Sequence, residues 1–288
     1  MFRIGIIGTE NTHAEAFATL FRDEAEFADM KIVAVGGIDP ESNKKMCEEF
    51  GIDMIAERPE DMLGKVDAVM ITARDGIYHA PFARPFLEAG LPMFIDKPFT
   101  VDPKEAIAFA SEAKKRGVKL MGGSTLKCTY DAVLLQNEAK VRGETLIGGT
   151  VAAPIMLDSP YSDFFFYASH LTELSMMIFG NDPKQVTAFR NGKSVTAVVD
   201  YDKYSVTNTF MGGCNKYFGQ VFSPEGIYSR QIDLSFASKI MAQRFATMLR
   251  EGIMPETYEE LVYPVMYMNA IKESYTTQKT VKIQKFEL

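Results

Sequence analysis

Apolar positions in the first part of the chain alternate between short unbroken runs and stretches with a helical period. Arg3-Ile4-Gly5-Ile6-Ile7-Gly8 has the length and content of a buried strand, and over residues 13–27 Ala14, Phe17, Leu20, Phe21 and Ala25 share one helical face. A second strand is predicted over 31–35, ending at Gly36-Gly37. A helix over 40–50 follows, because Pro40 suits a first helical position, Glu41 its first turn and Gly51 its end. Strands over 67–72 and 92–96 enclose a helix over 80–90, and a helix from Asp102-Pro103 to Arg116, stopped by Gly117, leads to a strand over 119–121. Strands and helices that alternate over short turns predict parallel crossovers, hence an α/β doubly wound sheet.

The rhythm then changes. After a helix over 131–142, strands predominate at 145–153, 185–189, 195–200, 204–211 and 216–222, with Asn191-Gly192 as a hairpin signal. Helices over 235–250 and 257–277 precede a last strand over 280–283. The pattern therefore divides into residues 1–122, built on a parallel sheet, and residues 123–288, an α+β domain with a mainly antiparallel sheet. A chain of 288 residues gives both domains room for an apolar interior. A cleft between them, at the carboxyl ends of the parallel strands, is where a ligand is expected.

Composition narrows the partners. Hydrophobic residues at 47% and charged residues at 24% are ordinary for a soluble globular protein, and a net charge of -7 without basic runs argues against nucleic acid. No apolar run has the length of a membrane span, and the first residues lead directly into a strand, so a cytoplasmic protein without a membrane partner is expected. Cys47, Cys128 and Cys214 are scattered, which fits a reducing compartment. They and His13, His79 and His170 lack metal-ligand spacing, so no metal is expected.

Two segments carry the candidate chemistry. Phe94-Ile95-Asp96-Lys97-Pro98-Phe99-Thr100 delivers a lysine from an apolar strand to the ligand-bearing edge of the sheet. Phe164-Phe165-Phe166-Tyr167-Ala168-Ser169-His170-Leu171 places a histidine where an apolar helix is expected to open. With an ordinary pKa near 6.5, histidine suits proton transfer at neutral pH. The turn Ile6-Ile7-Gly8-Thr9, the segment Asp96-Lys97-Pro98, the helix start at His170-Leu171 and the final helix-to-strand pattern occur in the order found in the Gfo/Idh/MocA oxidoreductases, which nearly the whole chain resembles.

The resemblance implies a Rossmann-type first domain with NAD or NADP as cofactor and a sugar, cyclitol or related polyol as substrate. It also implies a homodimer or homotetramer joined through the second sheet. Lys97 would polarise the reacting oxygen and His170 would take its proton. Cofactor contacts would come from Gly8, Thr9, Glu10, Asn11, Thr12, Asp39, Thr72, Ala73, Arg74 and Lys97. Lys127, Asp158 and Tyr167 would join Lys97 and His170 around the substrate, and His79 would pack near the adenine side.

The departures are equally specific. Where a dinucleotide fingerprint has three glycines, this chain has Gly8, Glu10 and His13. A carboxylate about 4 Å from a phosphate charge costs roughly 1 kcal/mol in water and about 4 kcal/mol at an effective dielectric near 20, so the cofactor binds only if Glu10 swings out or the pyrophosphate shifts. Gly37 stands where an acid normally holds the adenosine ribose, with Asp39 two positions on. Phe166 stands one turn before His170, where the family often has an aspartate. Two other functions follow from these departures: a sugar or nucleotide binder without redox turnover, and a lyase or epimerase that moves hydride transiently.

Overall fold

In the computed structural model, which describes residues 1–288, β1 (Phe2–Ile7), β2 (Met30–Gly36), β3 (Met54–Ala56), β4 (Ala68–Ile71), β5 (Met93–Ile95) and β6 (Leu120–Gly122) make one parallel sheet. Its order is β3-β2-β1-β4-β5-β6, so the winding reverses between β1 and β4 and opens a crevice over their carboxyl ends. Helices α1 (Thr12–Asp23), α2 (Pro40–Phe50), α3 (His79–Glu88) and α4 (Pro103–Arg116) make the crossovers. Side chains of Asn11, Asp39 and Asp102 cap the first, second and fourth of these, and Gly51 and Gly117 end α2 and α4 in the left-handed conformation.

The second sheet follows α5 (Tyr130–Arg142) and contains β7 (Gly148–Ile155), β8 (Gln185–Asn191), β9 (Ser194–Asp200), β10 (Ser205–Gly212), β11 (Phe218–Ser223), β12 (Gly226–Gln231) and β13 (Val281–Lys282). Its order is β12-β11-β7-β10-β9-β8-β13, antiparallel throughout except for the parallel pair β7 and β10. Asn191 pairs with Ser194, so the hairpin loop is Gly192-Lys193, one residue later than the sequence signal. The remaining helices are α6 (Phe165–Phe179), α7 (Ala237–Glu251) and α8 (Tyr258–Thr277).

The last two helices tie the domains together. α7 returns to the first sheet, where Met241, Phe245 and Met248 share a core with Ile4, Ile6, Phe17 and Phe94. Arg250 Nε donates to Asp29 Oδ2 at 2.9 Å, and Lys239 Nζ reaches Glu24 at 3.0 Å. α8 packs on α4 and β8, and its Tyr258 hydroxyl donates to Val118 O at 2.9 Å. A second core runs from Ile95 and Phe109 through Phe164 and Val206 to Tyr267, crossing the domain boundary.

Candidate active site

The crevice begins at the turn after β1. Gly8 has φ +105°, and a Cβ there would lie 2.0 Å from the backbone nitrogen of Ala73, so only glycine lets the two loops meet. Thr72 Oγ1 donates to Gly8 O at 3.0 Å, and Thr9 Oγ1 to Asn43 Oδ1 at 2.6 Å. Glu10 turns toward the β4 loop, where Oε1 accepts the Arg74 N–H at 3.0 Å; Oε2 is buried without a partner. Gly37, at φ +136°, cannot carry the missing acid, since its Cβ would stand 2.9 Å from Gly8 N. Asp39, two positions on, is engaged locally. Its two oxygens receive the Glu41 and Ser42 N–H groups and the Ser42 hydroxyl, which makes it the cap of α2.

A cavity of about 220 Å³ on the β2 side, lined by Ile7, Gly36, Gly37, Ile38, Met62 and Phe82, has an apolar floor, with Glu57 and Arg58 as its one anion and one cation. With the glycine turn and the amino end of α1, these residues fit a dinucleotide, and the Glu10 carboxylate lies beside Gly37 at the same turn.

At the end of β5, Asp96 is fully buried, and its Oδ2 accepts from Asn11 Nδ2 at 3.1 Å and lies 2.7 Å from His13 Nδ1. Burial pushes the Asp96 carboxyl up, but His13, with Lys97 and His79, outweighs it and holds the group down at about 2. Lys97 is only 5% exposed. Its Nζ donates to the Phe166 carbonyl at 3.3 Å and lies 4.4 Å from the Phe166 ring centroid and 5.8 Å from that of Tyr167. Burial and Arg74 lower its pKa against the pull of Asp96 and Glu173. His79 ties the loops behind these groups, with Nδ1 2.6 Å from Pro98 O and Nε2 2.7 Å from Ala73 O.

His170 lies in the second turn of α6 and does not open it, because the aromatic run at 164–167 already contains the first turn. Its Nδ1 is 2.7 Å from Ser124 Oγ, and its ring lies between those of Tyr167 and Tyr217. Burial, with the charges of Lys97 and His13, holds its pKa well below the ordinary value. His170 is therefore neutral near pH 7.

Ser124 is itself fixed: its N–H donates to Glu173 Oε2 at 2.8 Å, and its Oγ accepts the Leu126 N–H at 3.2 Å. A Cβ at Gly123 would stand 2.1 Å from the same Glu173 oxygen, so this carboxylate can approach only a glycine.

Other expected contacts lie elsewhere. Lys127 Nζ is drawn into a buried network with Glu173 at 3.2 Å and Glu256 at 3.1 Å, and Arg244 also holds Glu256. Burial opposes its charge, but the two carboxylates push the Lys127 pKa up to about 12. Asp158 faces solvent with a side chain 83% exposed, 3.9 Å from Arg190. Tyr167 packs between Lys97 and His170, and Phe166 provides a carbonyl and a ring face to Lys97 in the place of an acid. Ser124, Glu173 and the His13–Asp96 contact were not singled out in the sequence. The one available signal was Gly122-Gly123-Ser124, a small-residue run at a strand end.

A doubly wound sheet with a glycine turn at its switch point, joined to an open sheet by helices that close a cleft, is the architecture of a two-domain dinucleotide-binding protein. Residues 2–124 match the model of the Gfo/Idh/MocA family, described as an oxidoreductase family with an NAD-binding Rossmann fold, so the first domain is similar to the family that the motifs resembled. No curated protein sequence matches the chain.

Among solved structures, the scyllo-inositol dehydrogenase from Lactobacillus casei with bound NAD(H) and scyllo-inositol superposes with a TM-score of 0.86 at 14% identity, covering 98% of this chain and 99% of its own. The myo-inositol 2-dehydrogenase from Lactobacillus plantarum gives 0.84 at 17% identity, over 98% and 99% of the two chains. GenD2 from gentamicin A biosynthesis, in complex with NAD, gives 0.84 at 15% identity, over 99% and 97%. At such identities the likeness is one of fold. No helix of the chain is long and apolar enough to cross a membrane.

Proposed function

We propose that the chain is an NAD- or NADP-dependent oxidoreductase that moves a hydride to or from a hydroxyl-bearing carbon of a sugar, cyclitol or related polyol. The observation that carries this is the meeting of Lys97 and His170 in one buried, aromatic-walled site at the edge of the parallel sheet, near enough for the lysine charge to depress the histidine. The bound nicotinamide supplies the hydride acceptor or donor. The Lys97 ammonium draws electron density from the substrate oxygen and stabilises the charge that grows on it. His170, neutral at pH 7 and held through Nδ1 by Ser124, receives the hydroxyl proton at Nε2 as the carbon–oxygen double bond forms. Phe166 and Tyr167 limit water around the lysine. The inositol found in the Lactobacillus casei neighbour supports the substrate class. Assembly through the second sheet, as a homodimer or homotetramer, belongs to the same proposal.

Binding without turnover is the second reading, favoured by Phe166 in the place of an acid. Nicotinamide absorbance with a panel of inositols and sugars separates the two. Lys97→Met is expected to keep the fold and cofactor affinity while lowering turnover by about 10² to 10³. Unchanged turnover would make Lys97 a bystander.

A further inference from the structure

His13 takes no part in the chemistry above, yet it stands at the third fingerprint position, in the first turn of α1. Its Nδ1 lies 2.7 Å from Asp96 Oδ2, and Asp96 Oδ1 is buried without any partner. The contact joins the start of α1 to the end of β5 and so spans the carboxyl edge over β1 and β4, where a pyrophosphate rests on a helix end. With Nδ1 fixed, Nε2 is the free ring nitrogen, on a side chain that remains 23% exposed.

The same crevice has lost ordinary anion contacts. The His13 N–H, a natural phosphate donor, is taken by Asn11 Oδ1 at 3.2 Å, and Glu10 adds a carboxylate beside the turn. We propose that His13, held through Nδ1 by Asp96, reaches the pyrophosphate of the bound cofactor through Nε2 and so replaces the approach that two glycines would allow. This rests on the reading that the chain binds NAD or NADP.

Calorimetric titration of the full chain with NAD, and in parallel NADP, tests this. His13→Gly should weaken binding by about tenfold to a hundredfold, and His13→Gln, which keeps bulk and a side-chain donor, should lose less than His13→Gly. Equal or tighter binding by His13→Gly would overturn the proposal while leaving the cofactor reading in place. No binding of either cofactor at about millimolar concentration would remove both.

Discussion

His170 meets a hydroxyl where catalytic histidines commonly meet a carboxylate, so no carboxylate bonds its ring once it holds a proton, and the pull of Asp96 is outweighed by burial and by Lys97 and His13. Because its pKa is depressed by burial and by positive neighbours, the base is already free at neutral pH. The kcat/KM profile for alcohol oxidation should therefore stay level below pH 7 and fall only well under the ordinary histidine value of about 6.5. Ser124→Ala leaves Nδ1 without its partner. At about 1 to 3 kcal/mol for an unmet buried polar group, kcat/KM should drop roughly tenfold to a hundredfold, most of it in kcat. Phe166→Asp sets a carboxylate beside Lys97 and His170 and should move the acid limb to higher pH; a limb unmoved in a folded variant counts against His170 as the base. Lys97 and His170 were legible because each sits in an apolar run that locates it. Ser124 with His170 and His13 with Asp96 were not, since these pairs lie 46 and 83 residues apart and only the sheet order brings them together.

Among the elements, α2 is found at the bounds its Pro40 and Gly51 signals imply, as is the end of α4 at Arg116. Both helices have one buried stripe and explicit caps. α6 is buried on nearly every side, so it offers no stripe, and it begins at Phe165, ahead of the opening at His170 that the sequence suggests. β3 has three residues and β12 lies exposed at a sheet edge, which removes the alternation that reveals a strand. The turn after β6 carries a further expectation. Gly123→Ala meets both a positive φ of +79° and the Glu173 carboxylate, whereas Gly90→Ala, at φ +75°, meets nothing within 4 Å. The second substitution should cost about 1 kcal/mol from the backbone alone. The first should lower Tm by clearly more and also reduce turnover, because Ser124 moves with Glu173. Equal Tm losses would show that Glu173 gives way freely.

For the whole molecule, His79 and His170 are both buried with depressed pKa values, so the native state holds fewer protons than the unfolded chain as acid is added. Their contribution to stability is present above the unfolded value of about 6.5 and is lost as pH falls below it, at up to about 1.4 kcal/mol per pH unit for each ring. Tm measured from pH 7 down to pH 5 should decline, and a flat profile would mean that the rings are already charged in the native state. The return of α7 to the first sheet also bears on synthesis. β6 leaves the ribosome with the Ile4, Ile6, Phe17 and Phe94 face incomplete, and the helix that covers it begins only at Ala237. At about 5 to 20 residues per second the nascent first domain waits roughly 6 to 23 s for its lid. A chain stopped after Gly122 should therefore aggregate or hold a chaperone, and supplying the α7 segment as a separate peptide should restore a soluble monomer.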